Sequence, residues 1–193
     1  MADRSILPAS HDADHGEVQV VEYDPKWASE LFPRWSQRAV DCVNSKEDGL
    51  TLQIHHIGST AVPGLKAKPI VDMLLVVKDL QAFDSCKGAL EECGFIWCGE
   101  RFPGGRYLYG KEDGRVQCHL HVAPAPLTQR SGAVIAFRDA LRQNDELRDE
   151  YSTLKVKLAV ECGEDRGAYN QGKTAFVMKA LKAYAEAKAK ALA

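Results

Sequence analysis

A Gly-Ser-Thr turn, followed by a strand with one acidic residue, is the part of this chain whose side chains could do chemistry. Gly58, Ser59 and Thr60 follow one apolar stretch, and the next apolar stretch contains Asp72. Backbone N–H groups and hydroxyls in such a turn can cradle a phosphate. A carboxylate on the next strand can hold the divalent ion that accompanies a phosphate. The spacing favours a phosphate site; a tight turn in which Ser59 caps a helix is the alternative.

Asp72 is the only charged residue in the run 70–77, which is otherwise apolar, as expected of a central strand buried on both faces. A carboxylate is costly there unless it is bound to a metal or satisfied by neighbouring amides and lysines. Residues two apart on a strand share a face, so a second metal-binding carboxylate would occupy the position of Leu74. The usual two-metal arrangement for phosphate chemistry therefore lacks one ligand.

His119 and His121 are two residues apart in a stretch that reads as a strand, so they share one face. Two imidazoles on one face could bind a metal or act as acid and base. A core histidine beside a surface histidine is the alternative. If this strand lies beside that of Asp72, the three side chains could form one cluster in which nitrogen ligands replace the missing carboxylate and favour a transition metal. Asp72, His119 and His121 are therefore the predicted catalytic and metal-binding residues.

Basic residues of the C-terminal half could contact an anionic group. Three pairs of residues four apart, each sharing a helix face, are Arg138 and Arg142, Tyr151 and Lys155, and Tyr169 and Lys173. Together they could converge on a phosphate or carboxylate above the sheet, although each pair alone fits an ordinary surface feature. In the loop before Asp72, a lysine could meet a polyphosphate as a point charge, but Lys66 fits a solvated position better.

The run 56–72 resembles the signature of the GrpB family, a branch of the nucleotidyltransferase superfamily. Five further stretches match in the family's order and extend the resemblance over roughly 18–183: 21–27, 119–122, 137–142, 151–155 and 169–173. The family has a single acidic residue after a Lys-Pro pair, which Asp72 matches. Cys118 departs from the pattern, since the family often has a histidine or a polar residue there.

The resemblance implies an α+β fold with a nucleotidyltransferase-like mixed β-sheet flanked by helices and a C-terminal helical half. It also implies roles for particular basic residues. Lys68 belongs to the family's Lys-Pro pair, and the family match makes it a candidate for phosphate contacts, together with Arg138, Lys155 and Lys173. Gly58, Ser59 and Thr60 complete this predicted phosphate-binding set.

The predicted function is that of a nucleotidyltransferase-like transferase, acting with a divalent metal on a nucleotide or a phosphorylated small molecule. The metal is magnesium, manganese or zinc, and a nucleoside triphosphate is the candidate substrate. A catalytically silent nucleotide- or metabolite-binding module is the main alternative, which Leu74 favours. A derived condensation or transfer on the same scaffold is another.

The composition and net charge of the chain limit the kinds of partner that it is expected to bind. The chain has 193 residues, 45% of them hydrophobic, a formal net charge of −2 and a pI of about 6.3. This balance gives no general attraction to nucleic acid or to an anionic membrane. There is no apolar run of membrane-spanning length and no secretory signal pattern. We therefore expect a cytoplasmic protein whose partner is a small-molecule substrate.

The hydrophobic periodicity predicts one domain over 17–185, with a sheet-containing core (17–126) and a helical half (130–185). A disordered tail (1–16) and a frayed end (186–193) flank it. The predicted elements are strands over 18–22, 51–57, 70–77, 94–100, 106–111 and 115–122, and helices over 25–44, 80–93, 132–142, 145–162 and 168–191. The spacing of the six cysteines is unlike that of zinc sites, and free buried thiols are predicted.

Overall fold

The computed structural model describes residues 18–100 and 104–191, which build a five-stranded mixed β-sheet with helices on both faces. The strands are β1 (Thr51–Ile57), β2 (Val71–Val77), β3 (Phe95–Trp97), β4 (Arg106–Glu112) and β5 (Arg115–Pro124). Their spatial order is β1-β2-β5-β4-β3. β2 and β5 are parallel, and the other neighbouring strands are antiparallel. The predicted α+β class and the meander of three strands are confirmed.

Six α-helices cover the sheet. They are α1 (Phe32–Asn44), which continues a π-helical turn (Trp27–Leu31), α2 (Leu80–Ser85), α3 (Lys87–Glu92), α4 (Gln129–Gln143), α5 (Asp145–Cys162) and α6 (Arg166–Ala191). Helices α1 to α3 share a core with one sheet face. Helix α4 packs on the opposite face, and α5 and α6 pack against α4 and the loop before β2. Among the described residues, no helix is long and apolar enough to cross a membrane.

The alternation of side chains along β2 explains why its sequence is nearly all apolar. Met73 and its alternate neighbours face the core formed with α1 to α3. Leu74 and Val76 face the other side, where they pack with Ile57 and with Val134 of α4. Leu74 is only 1% exposed. The position that a second carboxylate would occupy is therefore a packed core position.

Three local predictions differ from the structure. The strand predicted over 18–22 is reduced to an isolated bridge between Val21 and Ala67. The helix predicted over 80–93 is broken at Cys86, whose N–H bonds to the carbonyl of Phe83 and tightens the chain into a turn. The strand predicted over 94–100 is limited to Phe95–Trp97. The tail predicted over 1–16 lies outside the described residues.

The prediction that all six cysteines are free thiols is wrong for two of them. Cys42 of α1 and Cys93, which follows α3, form a disulfide with Cα atoms 6.8 Å apart. The two helical segments pack side by side on one sheet face, and this brings together residues whose pairing no local pattern reveals. Among the described residues, the cysteines outside this disulfide are Cys86, Cys98, Cys118 and Cys162.

Reduction of the Cys42–Cys93 bond is expected to lower the free energy of unfolding by about 2–4 kcal/mol, because the bond restricts an unfolded loop whose ends are 51 residues apart. Urea unfolding with and without a reductant measures the change. The double variant Cys42→Ala/Cys93→Ala is the control and should not respond to the reductant. An equal loss in that variant would show that the reductant acts elsewhere.

Candidate active site

Asp72 and His119 meet at the centre of the sheet. They are register partners on the parallel strands β2 and β5, and Nδ1 of His119 lies 2.9 Å from Oδ1 of Asp72. Both side chains are about one-third exposed, at 31% and 29%. Burial alone would raise the pKa of Asp72, but the hydrogen bond and charge of His119, with the charges of His121 and His56, outweigh it and lower that pKa below its ordinary value. Asp72 is therefore an ionised carboxylate near neutral pH.

This pairing fixes the tautomer of His119. An ionised carboxylate only accepts hydrogen bonds, so Nδ1 of His119 carries the proton that it donates to Asp72. In the neutral ring Nε2 is then the proton acceptor. The pair has the chemistry of an oriented general base, with Asp72 in position to stabilise the imidazolium that forms when Nε2 takes a proton.

His121 lies on the same sheet face as His119, as predicted, but one step further along the register. Residues two apart on a strand are about 7 Å apart along it, and His121 is in register with Leu74 and Tyr107 rather than with Asp72. Within 18–100 and 104–191, no group of three or more His, Cys, Asp or Glu side chains could hold a metal ion. The hypothesis that Asp72, His119 and His121 together ligate a transition metal stays a prediction.

Tyr107 of β4 is a site residue that the sequence reasoning missed. It is 6% exposed, and its ring tilts against the rings of His119 and His121, with centroid distances of 5.7 and 5.2 Å. It therefore packs against both imidazoles. The signal that could have revealed Tyr107 is the alternation of side chains along β4, because β4 pairs with β5, the strand of the two histidines.

Gly58 brings the turn after β1 directly against Asp72. Its φ of +70° and ψ of −168° are readily accessible only to glycine. A side chain there would collide with the Asp72 carboxylate: an added Cβ would lie 3.0 Å from both Cβ and Cγ of Asp72, and closer still to Oδ2. The following residues, Ser59–Ala61, form a short 3₁₀ helix. The predicted proximity of turn and carboxylate thus has a steric basis.

His56 braces this turn from the opposite face of the sheet. Its ring stacks on Phe32 at 4.6 Å, and its Nε2 lies 3.0 Å from the hydroxyl of Thr60. Burial lowers the pKa of His56 to about 4, so the ring is neutral near pH 7. Because Thr60 is 1% exposed and bonded to His56, its hydroxyl helps to fix the turn, while Gly58 and Ser59 remain partly exposed.

Two arginines of α4, Arg138 and Arg142, hold the backbone of the same turn. Nη1 of Arg138 donates to the carbonyl of His56 at 2.9 Å, and its Nε and Nη2 bond to Asp139. Nε of Arg142 donates to the carbonyl of Ala61 at 2.8 Å. Arg138 is predicted to contact phosphate. In the structure its side chain holds the backbone of the turn in place, and that of Arg142 does the same.

The predicted lysines do come together beside Asp72. The ammonium of Lys155 is buried, donates to the carbonyl of Lys66 and lies 4.9 Å from the ring centroid of Tyr151. The ammonium groups of Lys173 and Lys68 lie 4.2 and 5.5 Å from the centroid of the Tyr169 ring.

Helix packing and burial set the character of this lysine cluster. A Cβ on Gly172 would lie 2.6 Å from a methyl group of Leu158, so glycine allows α6 to approach α5 closely. Burial, and then the charge of another lysine, lower the pKa values of Lys155 and Lys173 to about 7, while the charge of Asp72 opposes the shift. The side chain of Lys66 instead pairs at the surface with Glu22.

Cys118 lies outside the site. It faces the core of α1 to α3, is 0% exposed, and packs under Gly110, where an added Cβ would lie 2.6 Å from its sulfur. Burial raises the pKa of its thiol, which makes it an unreactive core residue.

The fold and the site define a class of α+β protein in which a central strand of a mixed sheet carries one carboxylate beside a glycine turn. A family model described as "GrpB protein" matches residues 17–183 of this chain. The chain therefore belongs to the GrpB family.

Relatives and a solved structure agree with this assignment. The chain is 31% identical to UPF0157 protein YqkA of Bacillus subtilis over 91% of its own length, but it spans only about half of that protein (49%). It is 31% identical to UPF0157 protein BH1888 of Halalkalibacterium halodurans, covering 87% of this chain and 83% of the relative. The crystal structure of conserved protein GrpB from Enterococcus faecalis is 31% identical, with a TM-score of 0.77 over 88% of this chain and 99% of that one.

Proposed function

We propose that this protein is a nucleotidyltransferase-like transferase that acts on a nucleotide or another phosphorylated small molecule. The observation that carries the proposal is the Asp72–His119 hydrogen bond, formed beside a glycine turn and beside three lysines. A paired acid–base residue next to a concentration of positive charge suits transfer of a phosphorus-containing group to an acceptor.

The residues have separate roles in the proposed reaction. Nε2 of His119 accepts the proton of an acceptor hydroxyl or amine, whose oxygen or nitrogen then bonds to phosphorus. The bond from phosphorus to the leaving phosphate or pyrophosphate breaks, and the leaving group keeps the electron pair. Asp72 stabilises the protonated His119, and the lysines offset the negative charge of the leaving group.

A divalent cation is part of the proposal, and the donor set fits magnesium or manganese better than zinc. Magnesium is commonly held by one or two carboxylates together with substrate phosphates, and Asp72 is a single ionised carboxylate in this site. The metal would be held by Asp72 and the phosphate oxygens, and it would neutralise phosphate charge. Among the described residues, no group of three or more His, Cys, Asp or Glu side chains offers the nitrogen-rich set that zinc favours.

A catalytically silent binding module is the second candidate, and Leu74 favours it. This residue is 1% exposed and packed among Ile57, Val76 and Ala123, so the site has one carboxylate on β2. In either case the proposed partner is a small molecule rather than nucleic acid or a membrane, and the proposed location is the cytoplasm. The net charge of −2 gives no general attraction to nucleic acid or to an anionic membrane.

Calorimetric titration with the four ribonucleoside triphosphates, with magnesium, manganese or a chelator, tests the proposal. We expect metal-enhanced binding of at least one nucleotide. Phosphorus NMR of the same mixtures, with hydroxyl and amine acceptors added, then separates the two candidates. A transferase releases phosphate or pyrophosphate, whereas a silent module binds without turnover. If no nucleotide bound under any of these conditions, nucleotidyl transfer would be abandoned.

A further inference from the structure

Three lysines converge on one side of Asp72 from different elements. Lys68 comes from the loop before β2, Lys155 from α5 and Lys173 from α6. Lys68 and Lys173 approach the ring of the same tyrosine, Tyr169. Like charges at such distances repel one another, and an apolar setting strengthens the repulsion.

Two of these ammonium groups, those of Lys155 and Lys173, have little negative charge around them among the described residues. Within the described residues, neither Lys155 nor Lys173 forms an ion pair with a carboxylate. The bonding partner of Lys155 is a neutral carbonyl, that of Lys66. The charge of the Asp72 carboxylate raises the pKa values of both lysines, but Asp72 is itself hydrogen-bonded to His119. The charges of Lys155 and Lys173 are therefore not balanced by an ion pair of their own among the described residues.

We propose that Lys68, Lys155 and Lys173 form a subsite for a multiply charged oxyanion, such as the leaving pyrophosphate of a nucleotide, that binds without a metal. The proposal rests on the proposed function for the identity of the natural ligand. It separates the anion subsite from the Gly58 turn: the turn lies against the carboxylate, whereas the oxyanion lies among the lysines. Tyr151 and Tyr169 form the apolar walls.

Binding in this subsite is coupled to proton uptake. The groups facing Lys155 and Lys173 are Lys68, Asp72, Tyr151 and Tyr169, along with the carbonyl of Lys66. The free lysines have pKa values of about 7, and an oxyanion between them favours their charged forms and raises those pKa values. Near pH 8 the lysines must therefore take up protons from solvent when the ligand binds, whereas near pH 6 they are already charged.

Titration of the protein with sulfate in the presence of a chelator tests the subsite, because sulfate keeps its two charges through the neutral range. Affinity is expected to fall roughly tenfold, between about pH 6 and about pH 8, for each lysine that must be protonated. Calorimetry near pH 8 in two buffers of different ionisation enthalpy should show net proton uptake. Pyrophosphate, added under the same conditions near pH 6, should bind more tightly than sulfate.

Lys173→Gln is the informative variant and should lose at least about tenfold in sulfate affinity. Lys179→Gln removes the same charge from an exposed position of α6 and should bind like wild type. Thermal unfolding checks that each variant folds, and the pH dependence of the wild type needs no variant. Absent metal-free binding, pH-independent binding, or unchanged affinity in Lys173→Gln would each overturn the subsite.

The outcome is distinguishable from failure of the proposed function. Metal-free sulfate binding without any nucleotide turnover would leave the subsite in place and remove the transferase. Metal-dependent nucleotide transfer without sulfate binding would do the reverse.

Discussion

Asp72→Asn is expected to weaken metal-dependent nucleotide binding by roughly a hundredfold or more, since it removes the one ionised carboxylate in the site. Asparagine is nearly isosteric and can still accept the hydrogen bond from Nδ1 of His119. The fold should therefore persist, although the neutral amide no longer stabilises a protonated His119. Calorimetry with magnesium and the best-binding nucleotide measures the loss, and thermal unfolding verifies the fold.

Asp84→Asn is the matched control for this substitution. Asp84 is also a partnered carboxylate, with its Oδ1 2.6 Å from Nε of Arg106, but it lies on α2 over the opposite sheet face. Its loss should leave nucleotide affinity unchanged within about twofold. Equal weakening in both variants would mean that the effect of Asp72→Asn is general and does not arise from a lost metal ligand.

The binding should also depend on pH in a defined direction. The pKa of Asp72 in the folded protein lies below its ordinary value of 3.8. The ionised form, and the stability it contributes, is thus present above that ordinary value and is lost as pH falls through the lower folded value. Loss of affinity between about pH 5 and 6 would therefore have to come from a group other than Asp72.

Gly58→Ala is expected to damage both stability and binding. The backbone conformation alone costs alanine about 1 kcal/mol, and the new methyl group would collide with the Asp72 carboxylate. Together these effects should lower the free energy of unfolding by about 2–4 kcal/mol. Displacement of Asp72 should weaken nucleotide binding at least tenfold, as measured by urea unfolding and calorimetry.

The variant Gly114→Ala separates the cost of the backbone conformation from that of the collision with Asp72. Gly114 lies between β4 and β5 with a φ of +76°, and an added Cβ would meet no atom within 4 Å. This variant carries only the backbone penalty and should bind nucleotide normally. Losses of equal size in the two variants would mean that contact with Asp72 adds nothing.

The sequence predicts much of the fold because its strongest patterns are local. Strand 51–57 and helix 145–162 are confirmed at both ends. Gly58 follows the strand directly, and Asn144 caps helix α5. The break at Cys86 and the disulfide were missed because neither has a local signal. They depend on how helices pack on the sheet, which propensity does not encode.

In the candidate site, too, the features with a local sequence pattern were predicted and those that depend on packing were not. A shared strand face for His119 and His121 follows from their spacing, and the pairing of His119 with Asp72 was stated as a condition on strand order, which the structure meets. The register of His121 with Leu74, rather than with Asp72, could not be read from the spacing alone. The use of Arg138 as a backbone brace depends on where α4 docks, and no spacing rule could reveal that.

The order β1-β2-β5-β4-β3 has a consequence for how the site comes into being. Asp72 and His119 are separated by 47 residues, and the intervening chain forms two helices and two strands before β5 pairs with β2. Loop closure over that distance costs entropy before any contact between the strands compensates for it. The Asp72–His119 pair therefore does not form in a partly folded chain, and any reaction that depends on this pair requires the complete central parallel ladder.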